Sequence, residues 1–294
     1  MIHDVIVIGG SYAGMAAALQ LLRARRSVLI IDSGKRRNRT AAHSHGFLGQ
    51  DGSDPATIAR QARQQLLRYP TLTWIDGEAT EASGNKDAFE VRCDGQSHAG
   101  RRILLATGVR DDLPDIPGLQ ERWGRSVFHC PYCHGYELDM GRIGVIGTGP
   151  VSLHQAQMVA EWGEVTFFIN GSFELDAESA QVLAQRRIQV EKTLISSIDG
   201  VASIVLADGR RVAFAGLFTA PRNAPATNIA ADLGCEMLDT PFGTQLETSD
   251  AKETSISGAF ACGDVARAPH SISLAVADGA WAGAQIHRSL VWPD

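Results

Sequence analysis

The sequence has little of three features that would each point to a particular class of protein. It has only five cysteines in 294 residues, an odd number that is too small for a disulfide-stapled fold. Basic residues are not in excess, since 27 Lys and Arg stand against 33 Asp and Glu. No apolar run reaches the ~18–20 residues of a membrane-spanning helix. We therefore expect neither a nucleic-acid partner nor a membrane partner.

The start of the chain also lacks the features of an export signal. Met1 to Asp4 lead almost directly into an apolar segment, without a basic region and a small-residue cleavage site. We therefore expect a cytoplasmic protein, in which a Cys-x-x-Cys pair is more often catalytic or metal-binding than structural. Hydrophobic residues make up 44% and charged residues 20%, which is a globular composition, and the length predicts about two domains.

Two stretches of the chain follow the same order of strand, glycine-rich turn, helix and strand. In the first, an apolar strand at Asp4–Ile8 is followed by a helix at Ala13–Arg25 and a strand at Ser27–Ile31. Continuously apolar strands joined by helices are typical of parallel sheets that are buried on both faces. The first stretch therefore predicts a strand–helix–strand unit of the α/β class.

The second stretch repeats this order in the middle of the chain. It has a strand at Arg142–Ile146, a helix at about Ser152–Glu161 and a strand at Glu164–Ile169. Two such units predict an α/β protein with two Rossmann-like nucleotide-binding domains. Strands at Ala88–Cys93 and Ser97–Leu105 lie between the units and are interpreted as a smaller β-rich insertion.

The remaining predicted elements are three short strands, a hairpin turn and a closing helix, at Leu194–Ile198, Ser203–Leu206, Arg211–Phe214, Asp208-Gly209 and Ser271–Leu290. Two proline-containing stretches, Leu113–Gly118 and Ala220–Thr227, are the expected joints between domains.

The glycine turn of the first unit has the composition of a dinucleotide-binding site. It reads Gly9-Gly10-Ser11-Tyr12-Ala13-Gly14, in which Gly9 would make the tight turn and Gly14 would let the helix pack against the strand. The helix N-terminus offers N–H groups to a pyrophosphate, and Asp32 ends the second strand, where a carboxylate can accept from ribose hydroxyls. A glycine turn in a nucleotide-free α/β domain is the alternative.

The glycine turn of the second unit gives a less complete signal. It reads Gly147-Thr148-Gly149-Pro150-Val151-Ser152, so Ser152 stands in place of a third glycine. After its second strand the chain reads Asn170-Gly171-Ser172, with neither an acid for a ribose 2′-hydroxyl nor an arginine for a 2′-phosphate. Binding of a nicotinamide dinucleotide at this turn therefore stays open.

A Cys-x-x-Cys motif lies just before the second unit, at Cys130 and Cys133. With His134 it fits a c-type haem attachment sequence, with His129 and His134 it could bind zinc, and two buried thiols without chemistry are a third interpretation. The fourth is a redox dithiol, in which a helix N-terminus stabilises the thiolate. His134 would titrate near physiological pH and move the proton of thiol–disulfide exchange. The motif itself does not select one enzyme.

The order of these motifs resembles that of the low-molecular-weight thioredoxin reductase family of FAD-dependent disulfide oxidoreductases. The first glycine turn, Cys130–Cys133 and the second glycine turn follow one another as in that family. Two further motifs complete the resemblance, Ala106-Thr107-Gly108-Val109-Arg110 in the first half and Gly258-Ala259-Phe260-Ala261-Cys262-Gly263-Asp264 near the end. The resemblance covers nearly the whole chain.

The resemblance implies an FAD-binding domain at residues 1–112 and 223–294, with an inserted NAD(P)-type domain at residues 113–222. Cys133 would face the flavin, Cys130 would meet the substrate, and His134 would be the acid–base partner. The implied cofactor-binding residues are Gly9, Gly10, Ser11, Tyr12, Ala13, Gly14, Asp32, His45, Thr107, Gly108, Gly263, Asp264, Ile272 and Ser273 for FAD, and Gly147 and Gly149 for NAD(P)H. The resemblance also implies a homodimer, and no metal site is expected.

The chain departs from the family pattern at three places. His134 stands where the usual acid is an aspartate, the arginines that read NADPH are missing around Ile169–Gly171, and Ser271-Ile272 replaces an Arg-Gln pair. The run Cys130–Glu137 is more similar to the related dithiol oxidases of the gliotoxin and holomycin type. The first expectation is NAD(P)H-driven reduction of a protein disulfide such as that of thioredoxin. The alternatives are oxidation of a small-molecule or protein dithiol by oxygen, and a non-enzymatic FAD-binding redox sensor.

Overall fold

The computed structural model describes residues 1–293 and contains seven α-helices and nineteen β-strands in that range. The helices are α1 (Tyr12–Arg23), α2 (Pro55–Leu66), α3 (Pro131–His134), α4 (Val151–Val159), α5 (Ala177–Gln185), α6 (Ile229–Asp232) and α7 (Ile272–Val291). The strands are β1 (Ile2–Ile8), β2 (Val28–Asp32), β3 (Leu72–Asp76), β4 (Ala79–Ser83), β5 (Phe89–Cys93), β6 (Gln96–Leu105), β7 (Val109–Asp112), β8 (Val127–Phe128), β9 (Arg142–Ile146), β10 (Glu164–Phe168), β11 (Gln189–Glu191), β12 (Ile195–Asp199), β13 (Ser203–Leu206), β14 (Arg211–Ala213), β15 (Gly216–Thr219), β16 (Arg222–Pro225), β17 (Met237–Thr240), β18 (Gly243–Leu246) and β19 (Ala259–Ala261). Across residues 1–293, no helix combines the length and the apolar character needed to cross a membrane.

The chain forms two compact units. The first comprises residues 1–39, 46–110 and 223–294, and the second comprises residues 40–45 and 111–222. The chain passes between the units four times: at 39/40, at 45/46, within β7 at 110/111 and at the start of β16 at 222/223. The domain boundaries predicted above lie at 112/113 and 222/223, and the short segment 40–45 was not predicted to belong to the second unit.

The first unit is built on a seven-stranded sheet in the order β3-β2-β1-β6-β5-β4, with β19 also paired to β6. The strands β3, β2, β1, β6 and β19 are parallel to one another, and β5 and β4 extend the sheet by antiparallel pairing. Residues of β1 alternate between two cores, since Val5 and Val7 belong to one apolar cluster and Ile6 and Ile8 to the other. The strand is therefore continuously apolar because both of its faces are buried.

The prediction of a separate β-rich insertion at β5 and β6 is wrong. Residues of β6 pair with β1 from Ala99 to Leu105, so β6 is a central strand of the main sheet. The same strand pairs with β5 through Gln96 to Gly100, which makes β5 an extension of that sheet. The strands themselves were predicted within a residue or two, but their partners are distant in sequence and leave no local signal.

Helices α1 and α7 pack face to face in the first unit at unusually short range. A Cβ atom at Gly279 of α7 would overlap the carbonyl oxygen of Ala13, and one at Gly283 would lie 2.9 Å from the Cα of Ala17. Both α1 residues are buried, as are Ala282 and Ile286 of α7. Small residues thus bring the closing helix against the helix that follows the first glycine turn.

The second unit contains a five-stranded parallel sheet in the order β11-β10-β9-β15-β8. An antiparallel three-stranded sheet, β12-β13-β14, belongs to the same unit, and its β13–β14 turn contains Asp208-Gly209 as predicted. Helix α4 follows β9 directly, and α5 precedes β11. The predicted α/β class and the two Rossmann-like strand–helix–strand units are confirmed.

Candidate active site

The first glycine turn has no room for side chains at its two ends. Gly9 has a φ of +105°, and a Cβ there would overlap the carbonyl oxygen of Ala106 at the end of β6. A Cβ at Gly14 would overlap the carbonyl oxygen of Gly9 and lie 3.2 Å from the Val7 side chain. The turn is therefore closed tightly against the sheet, which places the first turn of α1 at the carboxyl end of β1.

The N-terminus of α1 is built to accept an anion. Ser11 is the N-cap, in extended backbone conformation, and its side chain makes no capping hydrogen bond to the first turn. The backbone N–H of Met15 donates to the Ser11 carbonyl, which starts the helical ladder. The N–H groups of the first turn, at Tyr12 and Ala13, thus have no side-chain cap, and they carry the positive end of a twelve-residue helix.

Asp32 is held at the carboxyl end of β2 by the same turn. Its Oδ1 accepts a hydrogen bond from the backbone N–H of Gly10 at 3.1 Å. A Cβ at Gly10 would come within 2.7 Å of Asp32 and of the Trp74 ring, so the carboxylate and the turn are in close contact. This fixes the carboxylate where a ribose hydroxyl would need an acceptor. Trp74 was not anticipated, because its approach to Gly10 depends on the β2–β3 pairing.

The Gly263–Asp264 segment is positioned by a buried ion pair that the sequence analysis missed. Asp278 of α7 is 7% exposed; its Oδ2 accepts from the backbone N–H of Gly263 at 2.8 Å and its Oδ1 contacts Lys252 Nζ at 2.7 Å. Gly263 has a φ of +75°. Asp278 is the sole charged residue between Ile272 and Gln285 of α7. This single charge in an otherwise uncharged segment was the signal from which its buried role could have been predicted.

Asp264 has a basic partner that the sequence analysis also missed. Its Oδ2 lies 3.2 Å from Arg37 Nη1, and both side chains are mostly buried. The same Arg37 nitrogen lies 2.8 Å from His270 Nδ1. Arg37 and Asp264 are far apart in the sequence, so only the fold shows that they are partners.

The remaining residues predicted to bind FAD in the first unit lie at strand and helix ends. Thr107 and Gly108 lie between β6 and β7, and Gly108 has a φ of +69° with open space where a Cβ would be. Ile272 is partly buried at the start of α7, and Ser273 Oγ donates to the Gly46 carbonyl at 2.9 Å. The uncapped helix end, the glycines without room for Cβ and the Asp32 carboxylate fit an FAD molecule. Their roles as ligands stay predictions.

The second glycine turn keeps part of a nucleotide-binding geometry. A Cβ at Gly147 would come within 2.9 Å of the Phe168 and Ile169 carbonyls, whereas Gly149 has open space around it. The Ser152 hydroxyl accepts a hydrogen bond from the backbone N–H of Thr148 at 2.9 Å. Ser152, which stands in place of a third glycine, therefore stabilises the turn. The turn is well formed, and Gly147 and Gly149 stay predicted contacts of a dinucleotide.

The end of β10, where such a dinucleotide would be read, presents no basic side chain. Asn170 Oδ1 accepts from the backbone N–H of Ile195 at 2.9 Å, and Ser172 Oγ donates to the Ile169 carbonyl at 2.7 Å. The Asn170 side chain thus binds the start of β12, and the Ser172 side chain binds within its own loop. Arg186 is instead 3.4 Å from Glu161, an exposed pair on the protein surface. The segment Asn170–Ser172 contains no arginine that could bind a 2′-phosphate.

Cys130 and Cys133 form a disulfide at the start of α3. Cys130 is the N-cap of this four-residue helix, and the backbone N–H of Cys133 donates to its carbonyl at 3.3 Å. The other three cysteines, Cys93, Cys235 and Cys262, are buried, and burial raises the pKa of each thiol. The disulfide-bonded pair is therefore chemically distinct from the rest. Among residues 1–293 no group of three metal-ligating side chains comes together.

His134 is held against an aromatic ring in the second unit. Its imidazole stacks on Phe128 of β8 with ring centroids 4.2 Å apart. Burial, and secondarily the charge of His45, lower the pKa of His134 from 6.5 to about 4. The expectation that His134 titrates near physiological pH is therefore wrong for this state of the protein. At neutral pH the ring is uncharged and can accept a proton.

His45 lies in the second unit, next to Glu137. Its Nδ1 is 3.4 Å from Glu137 Oε1. Both residues and His134 line a cavity of about 220 Å³, together with Phe128, the exposed Arg125 and other residues of the unit, namely Ala42, His43, Gly124, Ser126, Leu138, Val201 and Ala215. The predicted place of His45 beside the flavin stays a prediction. Its observed neighbour is Glu137, and His134 lines the same cavity.

Known proteins with similar sequences extend over nearly the whole chain. Residues 3–279 match the family model described as pyridine nucleotide-disulphide oxidoreductase. The crystal structure of an oxidoreductase from Agrobacterium tumefaciens is 53% identical, with a TM-score of 0.98 and 100% coverage of both chains. The structure of HlmI is 35% identical, with a TM-score of 0.90, covering 99% of this chain and 93% of that one. The protein named thioredoxin reductase tcpT, from Claviceps purpurea, is 34% identical over 99% of this chain and 95% of its own length.

Proposed function

Because the chain belongs to the pyridine nucleotide-disulphide oxidoreductase family, as a thioredoxin reductase-like FAD enzyme acting on sulfur groups, we propose that it oxidises a substrate dithiol through Cys130–Cys133. The observation that carries this direction is the end of β10. The side chains of Asn170 and Ser172 are hydrogen-bonded to the protein's own backbone, and no arginine stands at these positions as a reader of NADPH. A substrate dithiol is then the better-supported electron donor.

The exchange proceeds in two sulfur transfers. A substrate thiol gives its proton to the neutral imidazole of His134, and the thiolate attacks Sγ of Cys130 while Cys133 leaves as a thiolate. The second substrate thiol, after losing its proton, attacks the substrate sulfur of the mixed disulfide and releases Cys130 as a thiolate. The substrate has then lost two electrons and two protons, and the cysteine pair has gained the two electrons.

The first unit holds the groups that would bind FAD. The pyrophosphate would lie at the N-terminus of α1, and the adenosine ribose would lie at Asp32. Gly263 and Asp264, fixed through Asp278 and Arg37, would lie against the ribityl or phosphate region. Bound FAD supplies the acceptor for the two electrons of the cysteine pair, with oxygen as the final oxidant.

An anaerobic titration of the purified holoenzyme tests this function. We expect dithiothreitol to bleach the flavin absorption band at stoichiometric concentrations, and NADPH and NADH to bleach it only slowly in excess. Admission of air should restore the band. Rapid bleaching by NADPH with no response to dithiothreitol would contradict the proposed direction.

The two cysteines provide the matched variants for this experiment. Cys130→Ser and Cys133→Ser should each lower steady-state dithiol oxidation by at least about 10³-fold, because each removes one partner of the exchange. Cys235→Ser is the control, since that thiol is buried outside the motif. Full turnover in either motif variant would exclude the dithiol mechanism. Turnover of any dithiol by wild type excludes a redox sensor without enzymatic activity.

The second candidate function is NAD(P)H-driven reduction of a protein disulfide such as that of thioredoxin. It is favoured by the well-formed turn at Gly147–Gly149, which leaves open space at Gly149, and by relatives that bear the name thioredoxin reductase. The titration distinguishes it from dithiol oxidation. The family resemblance also supports a homodimer as the working form, which sedimentation of the holoenzyme would test.

A further inference from the structure

Each sulfur transfer of the proposed exchange releases a substrate proton that has to reach water. The proposed exchange delivers protons from the substrate thiols to the imidazole, which is partly buried and stacked against Phe128. Burial holds the pKa of His134 at about 4, so the ring does not keep a proton at neutral pH. A group nearby has to accept the proton and return it to water before the second transfer.

The cavity beside His134 contains one arrangement suited to this task. His45 Nδ1 lies 3.4 Å from Glu137 Oε1, so a protonated His45 would have a carboxylate partner. The Glu137 side chain is 42% exposed and that of His45 is 19% exposed. The pair therefore places a water-exposed carboxylate in the cavity that the partly buried His134 imidazole also lines. The other charged or titratable groups lining this cavity are His43 and Arg125, both exposed.

We propose that His45, paired with Glu137, is a proton-relay residue that takes the substrate's thiol proton from His134 and passes it to solvent across this cavity. This inference depends on the function proposed above. In each sulfur transfer one S–H bond breaks, the proton moves to His134, then to His45, and then to water. No electrons move along this path, because they pass from the substrate sulfur to the cysteine pair. His45 touches neither substrate nor disulfide in this scheme and is a positioning and relay residue.

Two substitutions of His45 distinguish a proton relay from a purely structural role. His45→Gln can still donate a hydrogen bond to Glu137 but cannot carry a proton, whereas His45→Ala removes both properties. In stopped-flow bleaching of the holoenzyme by dithiothreitol, we expect both variants to be about 10–100-fold slower than wild type. Imidazole added to the buffer should restore much of the rate of His45→Ala and leave wild type unchanged.

Two further variants complete the comparison. Glu137→Gln should slow bleaching by a smaller factor and should not respond to imidazole, because the relay ring is still present. His43→Asn is the matched control, since it changes an imidazole of the same loop and cavity and should stay within about twofold of wild type. The ratio of flavin absorbance to protein should be equal in all variants, which separates the relay from cofactor loss.

Two results would overturn the relay. One is a His45→Gln variant as fast as wild type. The other is a His45→Ala variant whose slow rate does not respond to imidazole. If dithiothreitol fails to bleach wild type while NADPH succeeds, the proposed direction is wrong. The same variants are then compared in NADPH-driven reduction of dithiobis(nitrobenzoate), where thiol protons move in the opposite direction and the relay predicts the same order of rates.

Discussion

The chemistry of the second unit depends on the surroundings of a few side chains. Cys130 and Cys133 are bonded to each other at the start of α3, while the three remaining cysteines are buried with raised pKa values. His134 differs from an ordinary histidine because it is partly buried and stacked on Phe128, and burial lowers its pKa. An uncharged imidazole at neutral pH can accept a thiol proton, whereas a ring that is already charged cannot.

The buried state of His134 predicts a pH dependence of stability. Its pKa is lowered from 6.5 to about 4, so between these pH values the unfolded chain binds a proton that the folded chain does not. The free energy of unfolding is therefore unaffected by the titration of His134 above pH 6.5. It decreases as the pH falls toward 4, by at most about 3 kcal/mol. Urea unfolding at pH 7 and pH 5 should therefore show a smaller loss of stability for His134→Gln than for wild type. Equal losses in the two proteins would contradict this assignment.

At the scale of elements, the first glycine turn depends on helix packing as much as on its own residues. The closing helix α7 contacts α1 through Gly279 and Gly283, at positions where a Cβ has no space. The same helix carries Asp278, which holds Gly263 and pairs with Lys252. A single C-terminal helix thus positions two segments that are predicted to bind FAD.

Gly279→Ala should reveal this dependence. The added methyl group would overlap the carbonyl oxygen of Ala13, forcing α1 and the glycine turn to move. We expect a loss of about 2–3 kcal/mol in unfolding free energy and a lower flavin content after purification. Thermal unfolding and the ratio of flavin absorbance to protein measure the two effects. Ala284→Leu, on the exposed face of α7, is the control and should change neither; a Gly279→Ala protein with normal stability and flavin content would disprove the packing argument.

At the scale of the whole molecule, each unit has its own sheet and its own apolar cores. The second unit is continuous from residue 111 to 222 apart from the short segment 40–45. Its sheet packs Phe167, Val145 and Leu183 into one cluster and Leu217 and Ile146 into another. The first unit is assembled from three stretches of chain, so its sheet forms only when distant segments meet.

A fragment of residues 111–222 should therefore fold without the rest of the chain. We expect one cooperative thermal transition, no flavin absorption band, and two thiols after reduction, from Cys130 and Cys133. Circular dichroism and thiol titration measure these properties. Phe167→Ala in the fragment removes a fully buried ring and should cost about 3–5 kcal/mol, which would abolish the transition. A fragment without a cooperative transition would show that the second unit needs the first.

Much of the local structure could be predicted from the sequence. The strand Arg142–Ile146 was predicted with its observed bounds. A short apolar run that is bounded by glycines and polar residues indicates a buried strand. The closing helix was predicted within one residue at each end. The partner of β6 could not be predicted, since strand pairing joins residues that are distant in sequence.

The sequence by itself determined the kinds of elements, the two glycine turns, the Cys-x-x-Cys pair and the family to which the chain belongs. These features depend on residue types and on spacings of a few positions, and both are the same however the chain folds. Only the tertiary structure decided that Arg37 meets Asp264, that Asp278 holds Gly263 and that His45 meets Glu137. It also decided the charge state of His134, because desolvation depends on what packs around a side chain and not on its neighbours in sequence.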